Sequence, residues 1–157
     1  MEVGDVCRRD VVYGTRDTSV AAAAKLMRQH HVGDVIVVDR ADAERMPIGI
    51  VTDRDIVMEV VALGVDPAAS TLGDLVTWGE LVTVRDSASC AATLRLMRDK
   101  GVRRLPVVDE RGVLAGVISV DDLLPRFVDE LSEFADLAVR GRQREVETRP
   151  SASEKSG

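Results

Sequence analysis

An internal repeat constrains this chain more than any other feature of its sequence. Residues 49–56 read Gly-Ile-Val-Thr-Asp-Arg-Asp-Ile, and residues 116–123 read Gly-Val-Ile-Ser-Val-Asp-Asp-Leu. Each copy has a glycine, a short β-branched run, a hydroxyl residue, and an aspartate three positions later that opens an apolar helix. A duplication of this kind indicates two copies of one small structural unit.

The repeat extends over most of the chain. Val3-Gly4-Asp5-Val6 recurs 69 residues later as Leu72-Gly73-Asp74-Leu75, and Val37-Val38-Asp39 recurs 70 residues later as Val107-Val108-Asp109. The length differences fall where loops are expected, as in diverged copies of one fold. We place the first repeat at residues 1–66 and the second at residues 67–138. Residues 139–157 lose periodicity and gain Arg, Glu, Ser and Pro, which predicts a disordered tail.

Composition indicates a packed protein and excludes several functional classes. The chain is 45% hydrophobic, so two small repeats together have enough apolar surface for a shared core. Its net charge of −6 argues against a nucleic-acid partner. No apolar run is long enough for a membrane helix, and no signal peptide is recognisable, so we expect no membrane partner and a cytoplasmic location. Cys7 and Cys90 form no metal or redox motif.

Hydrophobic periodicity predicts the order strand, helix, strand, strand, helix in each copy. In the first copy the strands are expected at residues 11–13, 35–38 and 47–51. Thr18 is the expected N-cap of a helix that runs to about His30. Its predicted apolar stripe consists of Val20, Ala23, Ala24 and Met27.

The last helix of each repeat is strongly apolar. The one from Thr52 to about Leu63 is apolar on most sides, which predicts burial by more than its own sheet. The corresponding helix of the second copy is longer, and Pro125 is expected to break or kink it. Its stripe consists of Leu123, Phe127, Leu131, Phe134 and Ala138.

The duplication and its motifs resemble a stand-alone pair of CBS domains, a Bateman module, over about residues 1–138. The similarity is carried by Asp-Thr-Ser-Val at 17–20, Leu-Met at 26–27, Val-Arg-Arg-Leu-Pro-Val-Val-Asp at 102–109, and the glycine-hydroxyl-aspartate motif. It implies an α/β (α+β) fold of two tandem β-α-β-β-α repeats related by pseudo-twofold symmetry. It also implies a homodimer and two clefts for adenosine-containing ligands, namely AMP, ADP, ATP, NAD or S-adenosylmethionine.

The motif itself suits a nucleoside phosphate. By the resemblance, Asp55 and Asp122 accept the two ribose hydroxyls, which a carboxylate with two oxygens is able to do. Thr52 and Ser119 lie at helix starts, where a hydroxyl and free N–H groups favour a phosphate. However, Ser/Thr-x-x-Asp also resembles a capping box, which needs no ligand. Both interpretations remain open at this point.

The resemblance also assigns the adenine contacts. Backbone groups near the first strand of each repeat are expected to hold the base, with apolar side chains of the next strand as walls. The backbone positions are Tyr13, Gly14 and Thr15 in the first copy and Val82, Thr83 and Val84 in the second. The candidate walls are Val35, Ile36 and Pro106, for which an ordinary core position is the alternative.

Charge differs between the two copies. Arg54 lies inside the first motif and is suited to meet a phosphate, whereas Asp121 adds a carboxylate to the second and opposes one. We therefore expect the Thr52–Asp55 site to be the better phosphate binder. Arg103 and Arg104 are further phosphate candidates, because arginines at this strand start reach phosphate in the family. The sequence does not say which cleft they serve.

Three functions compete. The first is a regulatory module that senses an adenine nucleotide, requires no cofactor and signals to an unknown protein partner. The second is an interaction module with empty clefts. The third is a small nucleotide-acting enzyme, which is disfavoured because no nucleophile–base pair, metal cluster or phosphate-cradling glycine loop is recognisable. His30-His31 does not change this, because adjacent helical residues do not share a face. Trp78 is expected at the surface or an interface.

Overall fold

The computed structural model describes residues 1–76 and 81–149. Trp78 and residues 150–157 therefore lie outside the described residues. The chain divides into two compact units, Met1–Val120 and Asp121 onward. The elements in order are α1 (Val3–Val6), β1 (Tyr13–Gly14), α2 (Val20–His30), β2 (Asp34–Val38), β3 (Pro47–Thr52), α3 (Asp53–Ile56), a π-helix (Val57–Val61), α4 (Leu72–Leu75), β4 (Val84–Arg85), α5 (Cys90–Lys100), β5 (Arg104–Val108), β6 (Leu114–Ser119) and α6 (Val120–Thr148).

Each repeat forms one three-stranded sheet, which confirms the predicted fold class. The orders are β1-β2-β3 and β4-β5-β6, with the first pair parallel and the second antiparallel in both sheets. Even the irregularity is repeated, because the register shifts between Val37 and Val38 and again between Val107 and Val108. The first strand of the first repeat is shorter and later than predicted and begins at Tyr13.

The helix that follows the first strand is capped by a serine in both repeats. The Ser19 hydroxyl accepts a hydrogen bond from the Ala22 N–H, and the Ser89 hydroxyl accepts one from Ala92. The prediction of Thr18 as the N-cap is therefore wrong by one residue. The Thr18 hydroxyl instead accepts the Thr15 N–H at 3.0 Å.

The buried stripe of α2 is narrower than predicted. Val20, Ala23 and Met27 are buried, as expected, but Ala24 is exposed. The equivalent residues of α5 behave in the same way, since Leu94 is exposed. Each of these helices therefore meets its sheet along a single line of contacts.

The segment that leads into each repeat packs on the other repeat. The Val3 and Gly4 N–H groups donate to the Ala88 and Asp86 carbonyls, both at 2.8 Å. Gly4 is suited to this approach, because a Cβ there would lie 3.2 Å from the Asp86 carbonyl oxygen. Val3 is fully buried in this position.

The second lead-in reproduces the first. The Leu72 N–H donates to the Thr18 carbonyl at 2.8 Å, and the Gly73 N–H donates to Arg16 at 3.0 Å. Leu72 is completely buried and belongs to the core cluster of the first repeat with Val35 and Val51. The sequence boundary at residue 66 therefore does not separate the packing units, because residues 70–75 complete the first repeat.

Alternate side chains of β2 serve two different cores. Val35 and Val37 lie in the cluster of their own repeat. Ile36 and Val38 form a second cluster with Val117 of β6, so this cluster joins the two repeats. The period of two in a strand explains how one strand contributes to both.

The prediction that the helix after Thr52 is buried on most sides is wrong for this chain alone. Only Val60 is buried in the π-helix, whereas Val57, Met58 and Val61 are 50–67% exposed. Leu63, just beyond, is 66% exposed. The apolar residues of this segment thus form a surface patch.

The long helix α6 corrects two further predictions. The helix continues through Pro125 without a break. Pro125 lies near the helix start and removes only one backbone hydrogen bond, which is a small part of the bonding in a helix of 29 residues. The helix also runs to Thr148, so the predicted disorder does not begin at residue 139. Arg, Gln and Glu are good helix formers, and extending an existing helix costs much less than starting one.

Replacing Leu72 with alanine should destabilise the protein by about 2–5 kcal/mol, because it leaves a cavity in a fully buried cluster. Urea unfolding at equilibrium measures this change. Leu94→Ala, at an exposed position of α5, is the matched control and should cost less than about 1 kcal/mol. Equal losses for the two variants would contradict the exchange of lead-in segments.

Candidate functional site

Thr52 and Asp55 form a complete capping box at the end of β3. The Thr52 N–H donates to Asp55 Oδ2 at 2.8 Å, and the Asp55 N–H donates to Thr52 Oγ1 at 3.1 Å. Both hydrogen bonds that the capping interpretation predicts are therefore present. They leave Asp55 Oδ1 without a hydrogen bond from any residue in the described part of the chain. A half-buried carboxylate held in this way retains acceptor capacity.

A second Thr-x-x-Asp sequence shows that capping alone does not make a ligand site. The Thr71 N–H donates to Asp74 Oδ2 at 3.0 Å at the start of α4, which is the same backbone contact. Asp74 is exposed, and no sheet strand leads into this turn. The surroundings of Thr52 and Asp55 must therefore carry any functional argument.

Those surroundings include a charge pair that joins the two repeats. Arg104 Nη1 lies 3.2 Å from Asp34 Oδ1, and Arg8 Nη2 lies 3.5 Å from the same oxygen. Asp34 and Arg104 are equivalent residues, 70 positions apart, at the starts of β2 and β5. Asp34 pairs with Thr52 in its ladder, and Arg104 pairs with Ser119. The charge pair thus lies where the two hydroxyl residues of the motifs end their strands.

The structure also shows which motif Arg104 approaches. A Cβ placed on Gly33 would lie 3.1 Å from Asp53 Oδ2 and 3.3 Å from Arg104 Nη1. Asp53 is the first residue of α3, directly after Thr52. Arg104 of the second repeat therefore lies beside the motif of the first repeat.

Sequence reasoning did not select Asp34 as a site residue. Its side chain is 7% exposed, which is unusual for a carboxylate and requires a partner. The sequence does contain a sign of this pair, because the position that is acidic in the first repeat, Asp34, is basic in the second, Arg104. Such a pair is able to meet across a pseudo-twofold axis.

The remaining charged candidates have different settings. Arg54 is exposed, and no carboxylate within residues 1–76 and 81–149 forms an ion pair with it. Arg103 is exposed, and its carbonyl accepts the Val120 N–H at 2.9 Å. Ser119 is buried at the end of β6, and Asp122 lies in the first turn of α6.

The predicted adenine walls separate into two groups. Ile36 lies in the cluster that joins the repeats, with Tyr13 packed against it and paired with it in the sheet. Pro106 is buried at the equivalent position of β5. Val35, in contrast, lies in the core of its own repeat, so its ordinary structural role accounts for it.

The backbone candidates also differ in what they offer. Gly14 is a close-packed position, because a Cβ there would lie 2.8 Å from Leu72 Cδ1. The Thr15 N–H is already used by Thr18. Sheet register pairs Gly14 with Val37 and Val84 with Val107. The structural equivalents of residues 13–15 are therefore residues 83–85, one position later than the predicted set of Val82, Thr83 and Val84.

A cavity of about 430 Å³ opens beside Tyr13. Its size lies within the range of small-molecule sites. Its lining residues are Asp10, Val11, Val12, Tyr13, Leu26 and His30. Two residues of this wall, Leu26 and His30, belong to α2 and were not predicted as site residues.

The family model of the CBS domain matches the chain twice, over residues 3–62 and 72–129. The chain belongs to the CBS domain family. CBS domains are generally regulatory modules rather than catalytic ones. An uncharacterized protein of Methanopyrus kandleri is 38% identical over 124 residues, which cover 79% of this chain and 61% of the relative. The chain thus spans about three-fifths of that protein's length.

Solved structures of CBS proteins have the same fold. A hexameric CBS-CP12 protein from bloom-forming cyanobacteria has a TM-score of 0.72 at 28% identity, covering 98% of this chain and 90% of that one. A CBS domain protein of Pyrobaculum aerophilum, complexed with AMP, has a TM-score of 0.69 at 23% identity, covering 78% of this chain and 89% of that one. The second likeness establishes the fold alone.

The described residues contain neither a membrane-spanning helix nor a cluster of metal-ligating side chains. None of the helices in residues 1–76 and 81–149 is both long enough and apolar enough to cross a membrane. Within the same ranges, no group of three or more His, Cys, Asp or Glu side chains is placed to hold a metal ion.

Replacing Arg104 with alanine should destabilise the protein by about 1–3 kcal/mol, because it leaves the buried Asp34 carboxylate with Arg8 alone. A double-mutant cycle with Asp34→Ala, measured by urea unfolding, should give a coupling energy of at least about 1 kcal/mol. Arg98→Ala, which removes an exposed pair with Asp99, is the control and should change stability by less than about 1 kcal/mol. Additive effects of the Asp34 and Arg104 substitutions would contradict an energetic link between the repeats.

Proposed function

We propose that the chain is a regulatory module that binds an adenosine-containing ligand between its two repeats and has no catalytic activity. AMP is our first choice of ligand, and ADP, ATP, NAD and S-adenosylmethionine are the alternatives. The observation that carries this proposal is the juxtaposition of the Thr52–Asp55 motif with Arg104 of the other repeat. A carboxylate acceptor beside a guanidinium donor matches a ribose attached to a phosphate.

In the proposed complex, Asp55 accepts the ribose hydroxyls through Oδ1, which the capping box leaves available. Arg104, Arg54 and the Thr52 hydroxyl contact the phosphate. A guanidinium suits this role, because its planar N–H groups pair with phosphate oxygens in two-point contacts. The base lies against Tyr13, and Ile36, which is fully buried, packs behind that ring.

The second motif provides the weaker site in this proposal. Ser119 and Asp122 repeat the chemistry, with Thr83, Val84 and Pro106 at the adenine positions and Arg103 as the nearby cation. Each motif has two carboxylates, Asp53 and Asp55 in the first and Asp121 and Asp122 in the second, but only the first contains an arginine, Arg54, that offsets one of them. Arg104, which belongs to the same repeat, is directed toward the first motif.

The proposed response to ligand uses the charge pair between the repeats. A phosphate beside Arg104 competes with Asp34 for the same guanidinium. Ligand binding would therefore change the free energy that holds β2 against β5. A ligand shifts a conformational equilibrium only by its different affinities for the two states, and a change of partner for Arg104 supplies such a difference. An unidentified protein would sense the result.

Self-association belongs to the same proposal. The exposed apolar residues Val57, Met58, Val61 and Leu63 lie within one seven-residue segment, which also carries the exposed Glu59. Contiguous exposed apolar residues of this kind indicate an interaction surface. A second copy of the chain offers an identical patch, so two copies are able to bury it in one symmetric contact.

AMP should raise the melting temperature of the protein, because a ligand that binds only the folded state stabilises it. At about 100 times its dissociation constant, the gain is about 2.7 kcal/mol, or roughly 5–10 °C at this size. Asp55→Ala should abolish this rise, and Asp122→Ala should reduce it less. The measurement is thermal unfolding with AMP, ADP, ATP, NAD and S-adenosylmethionine.

Asp74→Ala is the matched control, because it removes the same backbone contact at a turn away from the proposed site. Its response to AMP should equal that of the wild type, although both aspartate variants lose some stability. A rise that survives in Asp55→Ala would contradict the assignment of Asp55. No rise with any of the five ligands would favour an interaction module with empty clefts, and turnover of a bound nucleotide would favour an enzyme.

Val61→Glu should dissociate the proposed dimer, because it places a charge in the centre of the apolar patch. The expected mass then falls from twice 17.0 kDa to 17.0 kDa, measured by light scattering after gel filtration. Leu94→Glu, at an exposed apolar position of α5, is the control and should leave the mass unchanged. A wild-type chain that is monomeric at high concentration would contradict the dimer.

A further inference from the structure

A small cavity of about 90 Å³ lies where the loop between β2 and β3 meets the second repeat. It is lined by Arg9, Val11, Tyr13, Arg45, Leu114 and Ala115. Two of these six residues are arginines, and none is acidic. Arg9 is exposed and donates one N–H to the Gly4 carbonyl at 2.9 Å, and together with Arg45 it gives the cavity two positive charges.

The Arg45 side chain is held in place at this cavity. Its carbonyl accepts the Leu114 N–H at 2.8 Å, which fixes the loop against β6. Its guanidinium carbon lies 4.1 Å from the centre of the Tyr13 ring, a cation–π contact. The guanidinium is therefore oriented before any ligand arrives.

The Arg45 guanidinium nevertheless has no hydrogen-bond acceptor among the residues that the structure describes. Its Nε is buried and makes no hydrogen bond. No carboxylate in residues 1–76 and 81–149 forms an ion pair with Arg45. A buried N–H of a charged group without an acceptor is unfavourable, and an anion at this position would satisfy it.

The acidic residues of the same loop are engaged elsewhere. Glu44 binds Arg111 of the second repeat, and this hydrogen bond and charge raise the pKa of Arg111. Asp42 pairs with Arg40 at 3.5 Å. Asp39 accepts the Arg40 backbone N–H at 2.8 Å. The loop thus holds its carboxylates in other contacts and leaves the Arg45 guanidinium for another anion.

We propose that this cavity binds a phosphate group, with Arg45 and Arg9 as its cationic ligands. Guanidinium N–H groups form short, charge-assisted hydrogen bonds to phosphate oxygens, and two arginines neutralise the charge of a phosphate. The Tyr13 ring positions Arg45, and Leu114 and Ala115 close the cavity from the second repeat. A bound phosphate would thus bridge the lead-in segment, the loop of the first repeat and β6 of the second.

This site shares Tyr13 with the proposed adenine position, but it is separate from the Thr52–Asp55 motif and does not depend on the function proposed above. Arg45 precedes β3, and Thr52 ends it. Thr52 follows Arg45 by seven positions, six of them in the extended strand β3, which corresponds to roughly 20 Å at about 3.3 Å per residue. The phosphate is free inorganic phosphate or part of a larger molecule, and the experiment distinguishes the two sources.

The test is calorimetric titration of the full chain with inorganic phosphate at low ionic strength. Arg45→Gln and Arg9→Gln should each weaken binding at least tenfold. Arg40→Gln, an exposed position in the same loop, should leave the affinity unchanged within about twofold. Circular dichroism of each variant verifies that it is folded, and Arg45→Lys should retain part of the affinity by keeping the charge.

Each outcome decides one question. If Asp55→Ala binds phosphate normally while losing AMP, the cavity is an independent site for free phosphate. If Arg45→Gln weakens AMP as strongly as phosphate but leaves adenosine binding unchanged, the cavity holds the phosphate of a nucleotide, and the placement of that nucleotide on Asp55 and Arg104 is wrong. Equal phosphate affinities of wild type, Arg45→Gln and Arg9→Gln would overturn the proposal, as would an equal loss in Arg40→Gln. A wild type that does not bind phosphate would also overturn it, whatever the result with AMP.

Discussion

The burial of Leu72 in the first repeat and of Val3 in the second determines how the rest of the molecule is held. Each side chain comes from a short helix that precedes the other repeat in sequence, and each is completely buried. A repeat of this size has too little apolar surface to be stable alone. The exchange means that neither core is complete until both repeats have formed. It also fixes their relative arrangement, because each lead-in helix is hydrogen-bonded to backbone carbonyls of the repeat that receives it. The placement of one repeat against the other therefore depends on this packing.

Within that frame, the Asp34–Arg104 pair places charge where it is costly. Asp34 is 5% exposed, and a buried carboxylate requires compensation. Ionic pairs of this kind contribute little net stability compared with apolar residues of similar size. Their value lies in specificity, because an acidic and a basic residue at equivalent positions allow only one pairing across the pseudo-twofold axis. The pair also places the Arg104 guanidinium beside the first motif. The equivalent residue of the first repeat is the acidic Asp34, so it supplies no guanidinium to the second motif. One substitution between copies thus makes the two halves chemically unequal.

The residue pattern predicted the fold well, because the duplicated sequence segments show which helices and strands each repeat contains and in what order. Strands β2 and β3 and helix α2 follow from local periodicity, and the sequence boundaries match the structure within a few residues. The errors have tertiary causes. The N-cap moved from Thr18 to Ser19, because both residues have a suitable hydroxyl and the backbone path alone decides between them. Val35 and Ile36 are indistinguishable in sequence, yet the pleat sends one to its own core and the other to the partner repeat. The contacts of Arg45 with Leu114 and of Arg104 with Asp34 join residues about 70 positions apart. A pattern of neighbouring residues in the sequence does not predict such contacts.

The candidate site shows why one motif supports both a structural and a functional interpretation. Capping uses Asp55 Oδ2 and the Thr52 hydroxyl, and it thereby fixes the orientation of the carboxylate. Because the Asp55 side chain is already held in one orientation, a ligand that binds Oδ1 would cost little side-chain conformational entropy. Thr71 and Asp74 share the Oδ2 contact but lie on an exposed turn without a cation from another repeat. The capping box therefore positions the carboxylate and does not by itself exclude a ligand. What distinguishes the Thr52–Asp55 turn from the Thr71–Asp74 turn is the residue that the other repeat brings to it, and that residue is Arg104.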